Sequence, residues 1–483
     1  MSPSHSELLR KAHDLDRMGK AEEALTAYRA FLAAEPRLAA AWSDVSGLLL
    51  VMGRLDEAQE ACEKALRLDP GCLSARVNAG CIQMRCGDWE SAEGHLRQAL
   101  TVDGRRTDAR LALAQCLIRT RDPKAAEQEV ARVIQFEPAN VTAHQILGGI
   151  FYSMGRWADF QAEIERYRKL DSGSPYLVFE QGFLDLLFGE MPRGWEGHEA
   201  RLQVPGLVGP VRHFSQPTWR GEPFPGKTLL LHYEQGLGDT LMFVRYAAQV
   251  KALGGRVVLE AQPCLADLVA TCPGVDEVVS HGAPLPPFDL QVSLLSLPWV
   301  FRTDLDTIPC EVPYLDLPAE VPHRKVFAEL LALAQSHGKS RIGLVWAGSP
   351  EHKRDEERSL PPAALGPLAA LQGVAWFSFQ LGRSEMPPLP DLISLAPLLS
   401  DFSATAYALS GMELVITVDT ALAHLAGAMG IPTLLLLPYQ PDWRWMLERE
   451  DSPWYPSMRI YRQPSPGDWG SVIQQVLTDL STD

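Results

Sequence analysis

The N-terminal part of the sequence repeats itself every 34 residues, and this period limits the possible folds more than any other feature. Turn-forming or helix-stopping residues recur at Pro36, Pro70, Gly104, Pro138 and Ser172, and alanines recur at Ala24, Ala58, Ala92 and Ala126. The alanines let two antiparallel helices approach closely, and the prolines end the second helix of a pair. One pair cannot bury its apolar face alone, so neighbouring pairs must stack into a superhelix with a concave groove.

The period and the positions of the small residues resemble the tetratricopeptide repeat. We predict five units over residues 5–172, followed by a less regular helical pair from Pro175 to about Arg201. Together they predict an all-α superhelix over residues 1–203, with about five repeats and capping helices. The resemblance implies that the groove binds a protein partner. The pattern assigns nearly every apolar residue of the repeats to the core, and it singles out no groove residue.

Residues 204–226 are rich in proline and glycine, which break helices, and we place a linker between domains there. The segment also contains three aromatic residues, Phe214, Trp219 and Phe224. Aromatic side chains predict a linker that packs on a protein surface, since a free linker would expose them to water.

Strand and helix patterns alternate after the linker in two series. The first series predicts a domain over residues 227–320, the second a domain over 341–483, and a charged helical connector spans 321–340. Alternation of this kind implies parallel sheets with helices on both faces. The sequence therefore predicts two Rossmann-like α/β domains facing a cleft, with ligands bound where the strand ends meet it.

The charge balance and the cysteines restrict the class of protein. The net charge is −16, which argues against a nucleic-acid binder because such proteins present a basic face. The start of the chain has no apolar core of a secretory signal, and no apolar run approaches the roughly 18 residues of a membrane helix. The 8 cysteines show no paired spacing. These features predict a cytoplasmic protein with reduced thiols.

The stretch EQGLGDTLMF follows a predicted buried strand and opens a helix. Gly236 and Gly238 nearly fit the dinucleotide fingerprint GxGxxG, and Glu260 ends the next strand, where a ribose-binding acid would lie. However, Leu241 replaces the third glycine, and Asp239 would press a carboxylate against a pyrophosphate. The pattern therefore disfavours a dehydrogenase. A phosphate-binding P-loop is excluded because no GK[ST] follows the glycines.

Asp239 has two interpretations that its position does not separate. A carboxylate at the start of a helix commonly caps the helix N-terminus, which is worth about 1 kcal/mol. The same carboxylate, facing a cleft, could act as a general base that takes a proton from a hydroxyl nucleophile. In that case Gly236 and Gly238 would form an acceptor-side turn and let the acceptor approach the backbone.

In the second series, Asp419 and Thr420 follow a strand and open a helix rich in alanine and glycine. The N-terminus of such a helix carries partial positive charge and free N–H groups, which suit a diphosphate. Asp419 and Thr420 would orient these amides or contact the ligand, Ala421 is small enough to let it approach, and His424 lies one turn further on. A helix cap for Asp419 and a packed helix histidine for His424 stay open as alternatives.

Further candidates follow the strand RIGLVWAG. Gly348 and Ser349 form a close turn, and Lys353, Arg354 and Arg358 are cations that could neutralise a leaving diphosphate without a metal. Each cation taken alone is more typical of a solvated loop. Their position on the same sheet edge as the helix N-terminus favours a phosphate role, for Arg358 first. Gln380, at the end of the next strand, is assigned to the same donor-binding set.

Two other signals are weaker. The string Asp304-Leu305-Asp306 lies in a predicted loop and not after a core strand, so no metal site is predicted there. The aromatic block that runs from the DWRW string at 442–445 to Trp454 has two interpretations. It is either a structural plug between the domains or a surface on which a sugar or base stacks.

The second half resembles the GT-B glycosyltransferases, and most closely the bacterial heptosyltransferase family, glycosyltransferase family 9. The likeness lies in the GDTL turn at 238–241 and in the DTALAH motif at 419–424, where Ala421 replaces a glycine of the family. The resemblance implies that Asp239 is the catalytic base and that the 419–424 motif binds a nucleotide sugar. The wider layout is similar to that of bacterial repeat proteins with a fused family 9-like domain.

The resemblance implies a glycosyltransferase that moves a sugar from a nucleotide-diphospho-sugar to a hydroxyl of a protein or glycan. Transfer would be inverting and independent of metal or other cofactor, and the repeats would recruit the acceptor or a partner. Three alternatives stay open. One is a catalytically inactive repeat scaffold of the same fold, and another is a different GT-B-type enzyme such as a nucleotide-sugar epimerase. The third is a protein glycosyltransferase similar to the O-linked N-acetylglucosamine transferases.

Overall fold

The structure is a computed structural model that describes residues 3–204, 206–208, 212–352 and 354–482. The chain divides into two compact units, residues 1–173 and 174–483. Over the described ranges, no helix is long and apolar enough to cross a membrane.

The described part of the first unit consists of helices that pair along the chain. They are α1 (Pro3–Arg17), α2 (Ala21–Ala34), α3 (Ala39–Val51), α4 (Leu55–Leu68), α5 (Leu73–Cys86), α6 (Trp89–Val102), α7 (Thr107–Arg119), α8 (Pro123–Phe136), α9 (Val141–Ser153) and α10 (Trp157–Leu170). Each odd-numbered helix packs on the even-numbered helix that follows it. The helical pairs predicted from the 34-residue period are confirmed.

Small residues hold these pairs together, as the period predicts. The recurring alanines of the second helices, Ala24, Ala58, Ala92 and Ala126, are all 0% exposed. Gly53, between α3 and α4, has a φ of +74°, a conformation that glycine adopts without strain.

The second unit opens with α11 (Pro175–Leu187), α12 (Met191–His198) and a 3-10 turn at Glu199–Gln203. The sequence predicts α11 and α12 as capping helices of the repeat, whereas their contacts group them with the α/β half. The two helices touch through glycines: a Cβ added to Gly182 would lie 2.6 Å from the backbone of Gly197. Helix α11 also packs on the 3-10 turn at Trp443–Trp445.

The first α/β part contains a four-stranded parallel sheet with the order β3-β2-β1-β4. Its elements are β1 (Thr228–His232), α13 (Leu237–Phe243), α14 (Ala247–Ala252), β2 (Arg256–Ala261), α15 (Ala266–Val269), β3 (Glu277–Ser280), β4 (Leu290–Ser293) and α16 (Leu297–Val300). Strand β1 is central and its leucines are fully buried, as its unbroken apolar run predicts.

The second α/β part contains a six-stranded parallel sheet with the order β10-β9-β8-β5-β6-β7. Its elements are α17 (Arg324–Ser336), β5 (Ser340–Val345), α18 (Asp355–Arg358), β6 (Val374–Ser378), β7 (Ile393–Ser394), α19 (Phe402–Ser410), β8 (Leu414–Val418), α20 (Ala421–Ala428), β9 (Thr433–Leu437), β10 (Met458–Arg462) and α21 (Trp469–Thr482). Two parallel sheets therefore follow the helical repeats, in agreement with the predicted α/β class.

The predicted linker packs on the first sheet. Trp219 and Phe224 are 0% and 1% exposed, and the indole N–H of Trp219 donates to the carbonyl of Glu222. Phe214 packs on His232 and Phe288 with ring centroids 5.2 and 5.6 Å apart. The predicted packing of these aromatic residues is confirmed, and they extend the core of the first sheet.

Some helical predictions were wrong in detail. The sequence PPAALGPLAAL predicts a helix after the first strand of the second series, but the structure has a 3-10 turn at Pro362–Ala370, because Pro367 lies inside it and removes a helical hydrogen bond. The long helix predicted after the GLGD turn is divided into α13, a 3-10 turn and α14. The sequence analysis also missed α19, whose first turn is capped by Asp401.

The glycine contact between α11 and α12 makes a testable prediction. Replacing Gly182 with alanine forces a methyl group against the Gly197 backbone, and we expect a loss of about 2–3 kcal/mol in the free energy of unfolding. Urea unfolding of the full chain, followed by tryptophan fluorescence, measures the loss. The control is Gly470→Ala on the exposed start of α21, where the nearest atom lies 3.7 Å away and the change should stay within about 0.5 kcal/mol. Equal stability of the two variants would contradict the close packing.

Candidate active site

The carboxyl ends of β1, β5, β6 and β8 open into a single cavity of about 930 Å³. Its lining brings together most of the predicted site residues: Gly236, Gly238, Asp239, Gly348, Ser349, Arg358, Gln380, Asp419, Thr420, Ala421 and His424. Arg354 does not line the cavity, and its guanidinium pairs with Glu357 at 2.7 Å. Lys353 lies outside the described residues. Ligands of open α/β sheets bind in the crevice at the strand carboxyl ends, so the cavity lies where the fold predicts a site.

Asp239 lies in the first turn of α13, and both of its carboxylate oxygens have partners. Gly236 is the N-cap residue of α13, and its N–H donates to Oδ2 of Asp239 at 2.8 Å. The other oxygen, Oδ1, forms an ion pair with a guanidinium nitrogen of Arg444. Burial raises the pKa of Asp239, although Arg444 and the Gly236 N–H lower it. Asp239 is therefore not the N-cap residue but the third residue of α13, and its carboxylate accepts the N–H of the N-cap residue while it also faces the cavity.

Arg444 links the two sheets at the cavity. Its guanidinium contacts Asp239 of the first α/β part and donates to Oδ1 of Asp442, in its own turn, at 2.7 Å. The side chain is 11% exposed and lies over the ring of Trp443 at 4.3 Å. Burial lowers the pKa of Arg444, but Asp442 and Asp239 outweigh it and raise the pKa above its ordinary value. Arg444 is therefore a permanent cation held by two carboxylates.

The N-terminus of α20 carries no side-chain cap. Thr420 is its N-cap residue with an extended backbone, and its hydroxyl makes no capping hydrogen bond. The alternative in which Asp419 caps this helix is therefore wrong, because Asp419 lies one residue before the cap. An uncapped N-terminus leaves backbone N–H groups available to an anion in the cavity.

Asp419 itself is a carboxyl group with a strongly raised pKa. Burial and the nearby Asp442 carboxylate raise its pKa to about 6, although Arg444 and Arg358 lower it. A group with this pKa is largely protonated below pH 6 and ionised above it. The charge beside the α20 N-terminus therefore changes within the range of pH found in cells.

Arg358 reaches the end of β8 from α18. Its Nη1 donates to the backbone carbonyl of Asp419 at 3.2 Å, and its guanidinium packs directly on Gly348. A Cβ on Gly348 would lie 2.3 Å from Arg358 Nη2, so only glycine leaves room for this cation. The carboxylate of Asp355 lies 3.5 Å from Arg358 Nε. The geometry keeps a cation in the wall of the cavity close to the α20 N-terminus.

Gln380 holds the loop after β5 in place. Its Oε1 accepts the N–H groups of Trp346 and Ala347 at 3.1 and 2.8 Å, and its Nε2 donates to two backbone carbonyls. Both ends of the amide are used by the protein. The structure therefore gives Gln380 a positioning role in place of the predicted donor contact.

His424 is packed between the two sheets. Its Nδ1 lies 2.9 Å from the hydroxyl of Tyr455, and its ring stacks on Trp445 with centroids 5.4 Å apart. Burial, with Arg444 and Arg245, holds the pKa of His424 well below its usual range, so the ring is neutral. A Cβ on Gly238 would lie 2.7 Å from His424, so this glycine serves the close contact between α13 and α20. The predicted contact of Gly238 with an acceptor stays a prediction.

The lining of the cavity is more acidic than the sequence analysis anticipates. Among the described lining residues, the arginines are Arg358 and Arg444, and the acids are Asp239, Glu351, Asp401, Asp419 and Asp442. The described residues contain no group of three or more His, Cys, Asp or Glu placed to hold a metal ion. The groups in this lining that can neutralise an anionic ligand are the two arginines and the partial positive charge of the helix N-terminus.

The sequence analysis missed Arg444 and Asp442 as site residues. It treats the DWRW string as either a plug or a stacking surface, and the plug is confirmed, since Trp443, Trp445 and Trp454 are at most 3% exposed. Trp443 packs edge-on against Trp195 of α12, with centroids 5.1 Å apart. The sequence signal that could have identified Asp442 and Arg444 is the alternation of charged residues with tryptophans in DWRW. Charged residues among apolar ones tend to be buried, and buried charges need partners and concentrate at functional sites.

Comparison with known proteins confirms the repeats. Residues 9–71 and 83–145 each match the tetratricopeptide repeat family. Protein FlbA of Caulobacter vibrioides is 29% identical over 345 residues, which covers 64% of this chain and 56% of FlbA. Because the first unit ends at residue 173, this match must include part of the α/β half. An inactive TPR repeat-containing thioredoxin of Arabidopsis thaliana, TTL3, is 33% identical over 90 residues, 19% of this chain and 13% of that protein.

Several solved structures resemble part of this chain. A tetratricopeptide repeat protein from Parabacteroides merdae has a TM-score of 0.36 at 20% identity, over 41% of this chain and 77% of that one. PilW, a type IV pilus biogenesis factor, has a TM-score of 0.39 at 18% identity, over 42% of this chain and 94% of PilW. Scores this low do not establish a shared overall fold or function.

The raised pKa of Asp419 predicts a pH-dependent effect on stability. In the unfolded chain this carboxyl ionises near pH 4, whereas in the folded protein it ionises near pH 6, so its ionisation destabilises the fold as the pH rises between these values. Asp419→Asn removes this cost. The difference in free energy of unfolding between the variant and the wild type should therefore grow by about 1–2 kcal/mol from pH 4.5 to pH 7.5, in favour of the variant. This range is smaller than the full pKa shift implies, because the carboxyl is partly exposed to water. Urea unfolding at both pH values measures the difference, and parallel pH dependence of the two proteins would contradict it.

Proposed function

We propose that the second unit is a glycosyltransferase of GT-B architecture that uses a nucleotide-diphospho-sugar and a hydroxyl acceptor. The observation that carries the proposal is the meeting of Asp239 with the uncapped α20 N-terminus and Arg358 in one cavity. A carboxylate for the acceptor and an anion seat for the leaving group are the two parts that such a transfer needs. Two parallel sheets whose strand ends share a cavity support the GT-B assignment.

The acceptor half of the reaction falls to Asp239. Its carboxylate takes the proton of the acceptor hydroxyl as the oxygen attacks the anomeric carbon of the sugar. A new carbon–oxygen bond forms on the face opposite to the leaving group, which inverts the configuration. Burial raises the pKa of Asp239 and so makes it a better base than an exposed aspartate.

Residues of the second α/β part bind the donor and its leaving group. The bond between the anomeric carbon and the phosphate oxygen breaks, and its electron pair leaves with the nucleoside diphosphate. The backbone N–H groups at the start of α20 and the guanidinium of Arg358 would receive the growing negative charge. These donors are fixed before the reaction, so no cofactor or metal is required in this mechanism.

The repeats indicate a protein-interaction function, since tetratricopeptide superhelices commonly present a concave binding surface. We propose that they recruit a protein acceptor or a partner that carries the glycan acceptor. A cytoplasmic location agrees with this role and stays a prediction. Transfer to protein side chains, as in the O-linked N-acetylglucosamine transferases, is one form of the same proposal.

A catalytically inactive scaffold is the second candidate, and one observation favours it. Both oxygens of Asp239 are occupied, one by a backbone N–H and the other by Arg444. A carboxylate held in this way is a weak base until Arg444 leaves. In this case the repeats alone would supply the function, and the cavity would bind no nucleotide sugar.

Asp239→Asn separates the two candidates. The amide keeps nearly the same shape but cannot take a proton, so transfer should fall by about 100-fold or more while donor binding is retained. The measurement is release of nucleoside diphosphate in the presence of donor and acceptor. A transfer rate equal to that of the wild type would contradict the assignment of Asp239 as the general base.

A thermal-shift screen with UDP-, GDP- and ADP-linked sugars tests the proposal before an acceptor is known. A glycosyltransferase should be stabilised by at least one of them, since ligands that bind the folded state raise the unfolding temperature. Gly348→Ala is the matched variant, because its methyl group displaces Arg358 from the cavity wall and should weaken the shift. A chain that no nucleotide sugar stabilises would support the scaffold.

A further inference from the structure

Arg444 is the one described residue whose side chain joins Asp239 to the second α/β part through an ion pair. Its guanidinium has two carboxylate partners, Asp239 and Asp442, while its buried Nε has no hydrogen-bond partner. Arg444 also lies close enough to Asp419 for its charge to lower the pKa of that carboxyl, which burial and Asp442 raise. Arg444 thus sits among three carboxylates on the wall of the cavity in which the donor would bind.

An incoming diphosphate and the Asp239 carboxylate need the same cation. The described lining contains only Arg358 and Arg444 as arginines, and a diphosphate diester carries two negative charges. Arg358 alone leaves one of these charges without a cation. Guanidinium binds phosphate oxygens in the same forked geometry in which it binds carboxylates, so the exchange of one partner for the other keeps its hydrogen bonds.

We propose that the donor diphosphate takes Arg444 away from Asp239, so that donor binding releases the catalytic base and imposes an order in which donor precedes acceptor. This inference rests on the proposed glycosyltransferase function and adds a second role for the DWRW turn. Without donor, Arg444 keeps Asp239 neutralised and the site idle. With donor bound, Asp239 loses its cation and becomes the stronger base just as the leaving group gains its counterion.

The surroundings of Arg444 suit a side chain that changes partner without moving its backbone. Trp443 is fixed by Trp195 and by His198, with ring centroids 5.1 and 6.0 Å apart, so the turn that carries Arg444 is anchored on α12. The backbone N–H of Arg444 is held by Asp442 at 3.0 Å. The contact with Asp239, in contrast, comes from the other α/β part, and its loss breaks no hydrogen bond within the turn.

Donor affinities of variants at Asp239 and Arg444 test the proposed exchange. If Asp239 and the donor compete for Arg444, the wild type binds the donor more weakly than it would without this competition. Removal of the Asp239 carboxylate should therefore lower the dissociation constant of the donor by the same factor. Calorimetric titration with the nucleotide sugar that gives the largest thermal shift compares the wild type with Asp239→Asn, Arg444→Gln and the double variant. Asp239→Asn should bind roughly five- to tenfold more tightly, and Arg444→Gln about tenfold or more weakly. Arg444→Lys should recover part of the binding, because it restores the charge without the fork.

The double variant separates competition from simple removal of a negative charge. Without Arg444, the Asp239→Asn change should give no gain in affinity, so the two effects should not add. Asp401→Asn is the matched control, since it removes another lining carboxylate but keeps an N-cap residue for α19. A gain for Asp239→Asn that persists in the Arg444→Gln background, or that Asp401→Asn reproduces in full, would overturn the exchange while leaving the glycosyltransferase proposal intact. Failure of the wild type to bind any nucleotide sugar would overturn both.

Discussion

The ion pair between Asp239 and Arg444 is the contact on which the account of this site depends. It joins the first turn of α13 to the turn before β10, and these turns belong to the two different sheets. The glycine at 238 lets His424 approach behind the pair, and the ring of Trp443 packs against the guanidinium of Arg444. Low dielectric strengthens such a pair but leaves either partner costly when it is alone. A charged ligand that takes the place of one partner can therefore separate the ion pair without leaving a buried charge alone.

The same constraint accounts for the unusual charge of the cavity. Acidic residues outnumber arginines in its described lining, which is a poor environment for a diphosphate unless the charges are already neutralised. The ion pairs of Arg444 with Asp239 and Asp442 offset part of this negative charge, and protonation of Asp419 removes more of it only below about pH 6. The uncapped start of α20 and the guanidinium that rests on Gly348 then supply donors without further rearrangement. Each of these features has a local structural role, and only their convergence suggests catalysis.

The sequence predicted the elements that follow from periodicity and missed those that depend on pairing across the fold. Alanines and prolines at a fixed spacing predicted the helical pairs, and apolar runs predicted the central strands β1 and β8. Asp239 and the 419–424 motif were found because each follows a strand and opens a helix. Arg444 was missed because its significance lies in a contact with a residue about two hundred positions earlier. The assignment of α11 and α12 to the second unit depends likewise on distant contacts, such as the edge-on packing of Trp195 in α12 against Trp443.

The central claim is that the cavity uses a nucleotide-diphospho-sugar to modify a hydroxyl group, and product analysis tests it most directly. The purified full chain is incubated with a panel of nucleotide sugars and a cell extract, and mass spectrometry follows both donors and acceptors. The account predicts that one donor is converted to its nucleoside diphosphate while an extract component gains the mass of one sugar. No consumption of any donor beyond that seen with the Asp239→Asn variant would contradict it.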